Sequence, residues 1–367
     1  MPTFANDDNG NKPLYYVPLT LSANDGSGFI QQVTVNPSSY TSYLASNLSN
    51  VNFQDGNGNL LYSWQETVSA TNTSTSAMYW LTLPNATTTT VYMVLVSNLS
   101  SSLSTSHTGA TPQYSSTYGQ YDNGANVFLF YDNFAGTSLS SKWTAAYGAN
   151  TGYSVDNGIT VTAYSGLTGN SSPQVYGSST TAVNGPIEID FYGVVDTAGK
   201  TGASNNVGAG LSMSSAFNDS SAYIGSFGYS GAAHTGLIVT DNTANDHANS
   251  SGVGVPDSSN AVYTIEYPAA MSSSTTVNAY QNYGSEETIT GVAQTVNQSG
   301  TSTLGFASQS SGQTLGPIYW IRTRQYPTGG TMPTATAGSL RSVLTVTYVS
   351  PYFKYSRPSV NKRIFIM

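Results

Sequence analysis

Apolar residues recur at every second position in short runs along this chain, and no window shows them at helical spacing. Side chains two apart lie on one face of a strand, so the runs predict strands of an antiparallel sandwich. DGNGN at 55–59 predicts a hairpin turn, because Asp-Gly and Asn-Gly tolerate a positive φ. The runs in the first hundred residues are YYVPLTL (15–21), QQVTV (31–35), VNF (51–53), AMYWLTL (77–83) and TVYMVLV (90–96).

A second series of runs begins at Val127, and its number of strands favours a jelly roll or a curved two-sheet sandwich. Gly and Asn separate the runs as turn residues do. The runs are GYSVDNGITVTAY (152–164), GPIEIDFYGVV (185–195), VGAGLSM (207–213), AYIGSFGY (222–229), TGLIVT (235–240), AVYTIEY (261–267), TTVNAYQN (275–282), STLGFAS (302–308), PIYWIRTRQY (317–326) and SVLTVTYV (342–349).

The chain is therefore predicted to be all-β, with two tandem antiparallel β-sandwiches. We place a small β-sandwich at 1–100, a Ser/Thr-rich linker or long loop at 101–126, and the jelly-roll domain at 127–349. Residues 350–367 form a basic-aromatic tail, and seven of the ten Lys plus Arg lie at or after Arg322. Such a tail hangs free, binds an anionic partner or docks onto a neighbouring subunit.

The composition indicates a polar surface with few charges. Only 8% of the 367 residues are charged, while 27 Tyr and 12 Phe supply a core. Acid denaturation comes mostly from native carboxylates that must take up protons, and this chain has few of them. The composition therefore fits an acidic exterior as well as a Ser/Thr-rich secreted protein. The absence of Cys excludes a disulfide framework, a thiolate zinc site and a thiol nucleophile. Eight Asn-X-Ser/Thr sequons are glycosylation candidates: Asn47, Asn72, Asn85, Asn98, Asn170, Asn218, Asn249 and Asn297.

Several partners and locations are excluded or favoured by the same pattern. No run of about 20 apolar residues predicts a transmembrane segment, and MPTFANDDNG has no signal-peptide pattern. A net charge of −8 argues against nucleic acid as the main partner. We expect a protein of the cell surface or of a virion surface. An archaeal source fits the acidic exterior that the composition allows.

Five stretches of the chain resemble parts of two known modules. YDNFAGTSLSSKW followed by YSVDNGITVTA resembles the start of concanavalin A-like lectin and glucanase (laminin-G-like) domains. The matching residues are Phe130, Asp132, Phe134, Gly136, Leu139, Lys142, Trp143, Tyr153, Val155, Asn157 and Gly158. VNFQDGNGNLLYSWQE (51–66) and YWLTLPNATTTTVYMVLVSN (79–98) resemble a small β-sandwich of uncharacterised function that precedes lectin-like domains in archaeal and bacterial surface proteins. IYWIRTRQYP (318–327) resembles the last strands of proteins that combine the two modules. The resemblance implies a lectin-like fold and no particular activity.

The carboxylates do not predict an enzyme. Retaining glycosidases need two carboxylates about 5 Å apart, and the glucanase relatives carry them on one strand as E-x-D-x-x-E, or with one extra residue. Here Glu188 and Asp190 share a strand face, but Gly193 and Val194 occupy the positions of the second Glu. Glu286 and Glu287 are typical of a solvated turn. We expect no catalysis and keep glycoside hydrolysis as a second alternative.

No cofactor is predicted, apart from Ca²⁺ if DNTANDH (241–247) is a ligand loop rather than a polar turn. Its oxygen ligands would be Asp241, Asn245 and Asp246. The three histidines, His107, His234 and His247, have no metal-site spacing.

The expected carbohydrate-binding residues are Trp320, Arg322, Arg324 and Tyr326. On one strand, Trp320, Arg322 and Arg324 point to the same side, so that side is either an exposed binding surface or a set of arginines paired with Asp or Glu of an adjoining strand or domain. Trp64, Trp80 and Trp143 are expected in the core.

These observations predict a non-catalytic surface protein that binds glycans or mediates attachment. The alternative is a structural subunit of a surface layer, filament or virion, whose partners are neighbouring subunits and whose tail supports a homo-oligomer. A lectin should tolerate loss of the tail, whereas an assembly subunit should not.

Overall fold

The structure is a computed structural model that describes residues 1–146, 152–162, 174–177, 186–194, 207–212, 223–230, 234–240, 246–248, 259–267, 277–284, 286–289, 303–308 and 314–343. Within these residues the regular elements are strands, apart from a 3₁₀ helix (Pro37–Tyr40) and one turn of α-helix, α1 (Gly124–Val127). The prediction of an all-β chain is confirmed.

The first sandwich contains a five-stranded and a four-stranded sheet. The order of the larger sheet is β23-β1-β6-β3, and β24 also pairs with β1; the smaller sheet has the order β2-β5-β4-β7. The strands of the larger sheet are β1 (Tyr15–Leu21), β3 (Val51–Gln54), β6 (Thr90–Leu95), β23 (Ala335–Ala337) and β24 (Arg341–Ser342), and those of the smaller are β2 (Ile30–Val35), β4 (Ser63–Gln65), β5 (Ala77–Thr82) and β7 (Thr108–Ala110).

The second sandwich contains an eight-stranded and a seven-stranded sheet. The eight-stranded sheet has the order β10-β11-β22-β13-β18-β19-β20, with β8 also on β22. Its strands are β8 (Phe130–Asp132), β10 (Tyr153–Val155), β11 (Ile159–Thr162), β13 (Ile187–Gly193), β18 (Ala261–Tyr267), β19 (Val277–Gln281), β20 (Glu286–Ile289) and β22 (Thr314–Gln325).

The seven-stranded sheet has the order β17-β16-β15-β14-β21-β12-β9. Its strands are β9 (Trp143–Ala146), β12 (Gln174–Gly177), β14 (Val207–Ser212), β15 (Tyr223–Ser230), β16 (His234–Thr240), β17 (Asp246–Ala248) and β21 (Thr303–Ser308). All described pairings are antiparallel except the parallel pair β4–β7.

Alternation along the strands explains both cores. Ile187, Ile189 and Phe191 of β13 pack with Phe306 of β21 in the core of the second sandwich. A separate core in the first sandwich joins β1, β2, β3, β5 and β6, and Trp64, Trp80 and Trp143 are buried as expected. Residues of opposite parity remain for the outer faces of the sheets.

The motif at 130–158 holds a corner of the second sandwich. Asp132 accepts hydrogen bonds from Trp143 Nε1 (2.8 Å) and from the Phe134 backbone amide (2.8 Å). Gly136 N donates to Asn157 Oδ1 at 3.0 Å, and Asn157 has a φ of +49°. The residues that carry the family resemblance therefore serve packing and turn geometry.

Two segments connect differently from the expected layout. The proposed linker 101–126 contributes β7 to the first sandwich and the start of α1. Residues 335–342, placed by the sequence in the second domain, pair with β1 of the first sandwich: Leu21 lies opposite Ala335 and Tyr15 opposite Ser342. The tail 350–367 lies outside the described residues.

Strand positions in the first sandwich follow the sequence pattern closely. The run 15–21 is β1, and the other four runs differ from their strands by a residue or so at an end. The short strands β4 and β7 were not predicted. No helix of the described residues is long and apolar enough to cross a membrane.

Candidate functional site at the interface of the two sandwiches

The outer face of the eight-stranded sheet packs against the outer face of the four-stranded sheet. Trp64 and Trp80 of the first sandwich form one buried cluster with Tyr131, Val262 and Trp320 of the second. Both faces of β22 and β13 are consequently buried, although their sequences alternate. We call the polar side chains within this contact the interface cluster; they are Glu66, Glu188, Asp190, Thr264, Glu266, Tyr283, Arg322 and Arg324.

The cluster is laid out in cross-strand rows on β18, β13 and β22. Asp190 lies between Thr264 and Arg322, and the next row has Glu188 between Glu266 and Arg324. Directly opposed residues share a sheet face with Cβ atoms about 5 Å apart. Register alone therefore brings five ionisable groups and Thr264 together.

Arg322 connects the two sandwiches. Its Nε donates to Asp190 Oδ2 at 2.8 Å, and its Nη2 lies 2.8 Å from Glu66 Oε2 of the first sandwich. The Arg322 side chain is 0% exposed. Burial opposes its charge, but Tyr283, Glu66 and Asp190 outweigh that effect and raise the pKa of Arg322.

Arg324 is shared between two carboxylates of its own sandwich. Its Nε donates to Asp190 Oδ2 at 2.9 Å, and its Nη2 contacts the carboxyl oxygen Oε2 of Glu188. Burial alone would raise the pKa of Asp190, but the guanidiniums of Arg324 and Arg322 lower it to about 2. Asp190 is thus a fixed anion between two fixed cations.

Aromatic rings enclose both guanidiniums. The Arg322 Cζ lies 4.4 Å from the Trp80 ring centre, 4.6 Å from that of Phe128 and 4.6 Å from that of Trp320. The Arg324 Cζ lies 4.6 Å from the same Trp80 ring. Cations over desolvated ring faces are stabilised by the ring quadrupole.

Tyr283 reaches the cluster from an unusual turn. Asn282 and Tyr283 follow β19 with φ of +51° and +56°, a region that an aromatic residue rarely occupies. The Tyr283 hydroxyl donates to Glu66 at 2.9 Å and accepts from Arg322 Nη2 at 2.7 Å. These bonds hold the strained backbone in place.

A cavity of about 360 Å³ opens beside the cluster. Its walls combine aromatic rings with hydrogen-bonding groups from both sandwiches, namely Gln32, Trp80, Glu188, Glu266, Tyr280 and Arg324. A second cavity of about 280 Å³ lies on another side of Tyr283 and is bounded by Glu66 and Trp320.

Glu188 and Glu266 form an opposed carboxylate pair in the larger cavity. Burial raises the pKa of Glu188 to about 8; Arg324 opposes the rise, whereas Asp190 and Glu266 add to it. Glu266 Oε2 accepts hydrogen bonds from Asn278 and from the Tyr280 hydroxyl, both at 3.2 Å. Burial thus favours the protonated form of Glu188.

Gly193 lies where the glucanase pattern has its second Glu, and the structure leaves no room for a side chain there. A Cβ on Gly193 would collide with the Pro317 carbonyl oxygen and come within 2.7 Å of the Ile318 Cα. The carboxyl group that lies opposite Glu188 belongs to Glu266 of β18.

The predicted carbohydrate-binding residues require a correction. Trp320, Arg322 and Arg324 are 1%, 0% and 3% exposed, so they do not form an open binding surface. The alternative, pairing with carboxylates of an adjoining strand and domain, is what the structure shows. Arg324 still borders the cavity, and Tyr326 is half-buried after β22.

The remaining candidates are scattered or lie outside the described residues. Asp241 and Asn245 are outside them, and Asp246 begins β17. The described residues contain no group of three or more His, Asp or Glu that could hold a metal ion. Among the sequons, Asn47, Asn85 and Asn98 are exposed and Asn72 is half-buried, while Asn170, Asn218, Asn249 and Asn297 lie outside the described residues.

Glu66, Glu266, Tyr280 and Tyr283 were not predicted. Their signal is three-dimensional, since Glu266 meets Glu188 only through the register of β13 on β18, and Glu66 belongs to the other sandwich. A useful sequence signal for Tyr283 is QNYG at 281–284, a turn with an aromatic where Gly is usual.

The comparisons with known proteins are sparse. No protein-family model matches the chain. A protein of Sulfolobus islandicus rod-shaped virus 1, described as uncharacterized protein 562, is 39% identical over 74 residues. That match covers 20% of this chain and 13% of the viral protein's length.

Solved β-sandwich structures align with about half of the chain. The endo-1,3-β-glucanase of Streptomyces sioyaensis aligns with a TM-score of 0.36 and 13% identity, over 53% of this chain and 95% of that one. An endo-β-galactosidase of Clostridium perfringens gives 0.37 and 12%, over 56% and 64%. The carbohydrate recognition domain of Emp47p gives 0.33 and 11%, over 53% and 93%. Alignments at these scores do not identify an activity.

Proposed function

We propose that this chain is a glycan-binding surface protein and that the larger cavity is its binding site. The observation that carries the proposal is the lining, in which the half-buried ring of Tyr280 lies beside Glu266, Arg324 and Gln32. Aromatic faces suit the C–H side of a sugar ring, and the polar groups suit its hydroxyls. The volume of about 360 Å³ fits one or two sugar rings.

A location on a cell or virion surface belongs to the same proposal. The sparse charge, 8% of residues, and the exposed sequon asparagines Asn47, Asn85 and Asn98 support it. The 74-residue match with a protein of a rod-shaped virus supports a virion in particular. The proposed role there is attachment.

The test is a glycan array on the purified full chain, run at pH 3 and pH 7. We expect saturable binding to one glycan class, reduced at least about tenfold in Tyr280→Ala, since stacking on an aromatic is lost. The matched control is Tyr43→Ala, which removes a tyrosine that is 37% exposed and outside the cavity lining. Silence at both pH values from a folded sample would refute the proposal. Trp320→Ala is a poor probe, because Trp320 is buried.

Glycoside hydrolysis is a second candidate because Glu188 and Glu266 face each other across β13 and β18. Retaining hydrolysis needs such a pair, one carboxyl as acid and one as nucleophile. Here Glu188 would donate the proton and Glu266 would attack the anomeric carbon. If the wild type releases reducing ends from a bound glycan and Glu266→Gln binds without release, hydrolysis replaces simple binding. Absence of any release from every bound glycan sinks this candidate alone.

A further inference from the structure

The two cavities at the contact between the sandwiches lie side by side along the same strand of the second sandwich. On β18, Val262 lines the second cavity, whereas Thr264 and Glu266 line the larger one. Residues two apart on a strand share a face and lie about 7 Å from each other. The two cavities are therefore neighbours along β18.

The first sandwich shows the same order on β5. Met78 lines the second cavity and Trp80 lines the larger one, and these residues too are two apart on one strand face. Gln32, directly opposite Trp80 on β2, lines the larger cavity as well. A wall from each sandwich thus runs from one cavity to the other without a change of strand.

Tyr283 lines both cavities and lies between them. Its hydroxyl bonds to Glu66 of the first sandwich and to Arg322 of the second, so the side chain bridges the two walls. The residue is half-buried, and part of its surface is therefore open to a ligand. A sugar ring packed on Tyr283 would join ligand groups that lie in the two cavities.

The lining of the second cavity suits a sugar ring. The half-buried ring of Tyr192 supplies an aromatic surface, and hydroxyl and amide groups come from side chains that are exposed or half-buried, namely Thr67, Ser69 and Asn282. Val68, which is 37% exposed, borders the same cavity. A ligand reaches these groups without disturbing the buried ion pairs.

We infer that the two cavities are adjacent subsites of one cleft, and that the ligand is a linear oligosaccharide that fills both and passes over Tyr283. This inference rests on the proposed function and names the size and shape of its ligand. From the row of Glu188 to the row of Tyr192 on β13, the cleft extends over about 13 Å. The larger cavity fits one or two rings, so a ligand that fills both cavities has three or more.

The test measures affinity against ligand length by titration calorimetry of the full chain at pH 7. The probes are linear oligosaccharides of one to six rings, in homopolymer series of glucose, galactose, mannose and xylose and in the series of any class bound on the array. In a series that binds, four rings should bind at least about tenfold more tightly than two, because the added rings enter the second cavity. Six rings should add less than about twofold, since the cleft is then full.

Val68→Trp tests where the added rings bind. It places a large ring at an exposed position of the second cavity, so the tenfold gain from two rings to four should fall below about twofold. Tyr192→Ala should reduce the same gain, because it removes the aromatic surface of that cavity. Leu99→Trp is the matched control, since Leu99 is 94% exposed and outside both cavity linings. Circular dichroism and melting temperature establish that each variant is folded.

The outcomes separate this inference from the function on which it rests. Affinity that levels off at two rings overturns the cleft of two subsites and leaves glycan binding intact. A gain that persists in Val68→Trp also overturns it, because the added rings would then bind elsewhere, and so does an equal loss of the gain in Leu99→Trp. Failure of every glycan to bind, in the series and on the array, removes the proposed function and the cleft with it.

Discussion

Glu188 and Asp190, two residues apart on one strand, have pKa values displaced in opposite directions. For Glu188 the folded value is about 8 and the ordinary value 4.5, so the folded state binds the proton more tightly. Its contribution to stability therefore grows as the pH falls from 8 to 4.5. For Asp190 the folded value is about 2 against 3.8, and its contribution is lost as the pH falls through that range.

The two residues predict a stability optimum near pH 4 (roughly where both contributions are present). The urea midpoint should rise as the pH is lowered from 8 to 4.5. Glu188 should change the free energy of unfolding by at most about 1.4 kcal/mol per pH unit. Glu188→Gln should flatten this dependence, whereas Asp156→Asn should keep it. An unchanged slope in Glu188→Gln would show that another group is responsible.

At the scale of elements, the ion pair between Glu66 and Arg322 joins the two sandwiches. Glu66 follows β4 and accepts hydrogen bonds from Trp80 Nε1 (2.6 Å) and Tyr283 as well as contacting Arg322. The partners come from both sides of the contact, so Glu66 fixes how the two sheets meet.

Glu66→Ala should destabilise the protein by about 3–5 kcal/mol, because it leaves the buried Arg322 charge with one carboxylate fewer. Thermal and urea unfolding measure the loss. Asp8→Ala is a useful comparison, since it breaks the partly exposed pair with His107 (2.9 Å) and should cost about 1 kcal/mol or less. Equal losses in the two variants would contradict the role assigned to Glu66.

The sequence predicts the strands of this interface better than their partners. Alternation correctly put Trp320, Arg322 and Arg324 on one side of β22, and two buried arginines already required carboxylates nearby. The identity of those carboxylates depends on strand order and register, which nonlocal packing decides. Glu266 and Glu66 could not be assigned for that reason.

At the scale of the molecule, the proposed attachment role and the alternative of an assembly subunit differ in what the tail does. A chain that ends at residue 349 keeps β23 and β24. We expect it to bind glycan within about twofold of the full chain, because the described residues that line the cavity all precede residue 333. Glycan arrays measure the binding, and sedimentation measures the self-association of the chain. Loss of self-association together with glycan binding would favour the assembly subunit.

The pairing of β23 and β24 with β1 has a mechanical consequence. Tyr15 at the start of β1 lies opposite Ser342 at the end of β24, and Leu21 lies opposite Ala335. The chain segments before Tyr15 and after Ser342 therefore leave the sheet at the same end. Force applied between the segment before Tyr15 and the segment after Ser342 would break the hydrogen bonds between β1 and its partners β24 and β23 one after another, beginning at this end. The second sandwich lies between β7 and β23 in the chain. The applied force therefore reaches it only after β1 has separated from β23 and β24.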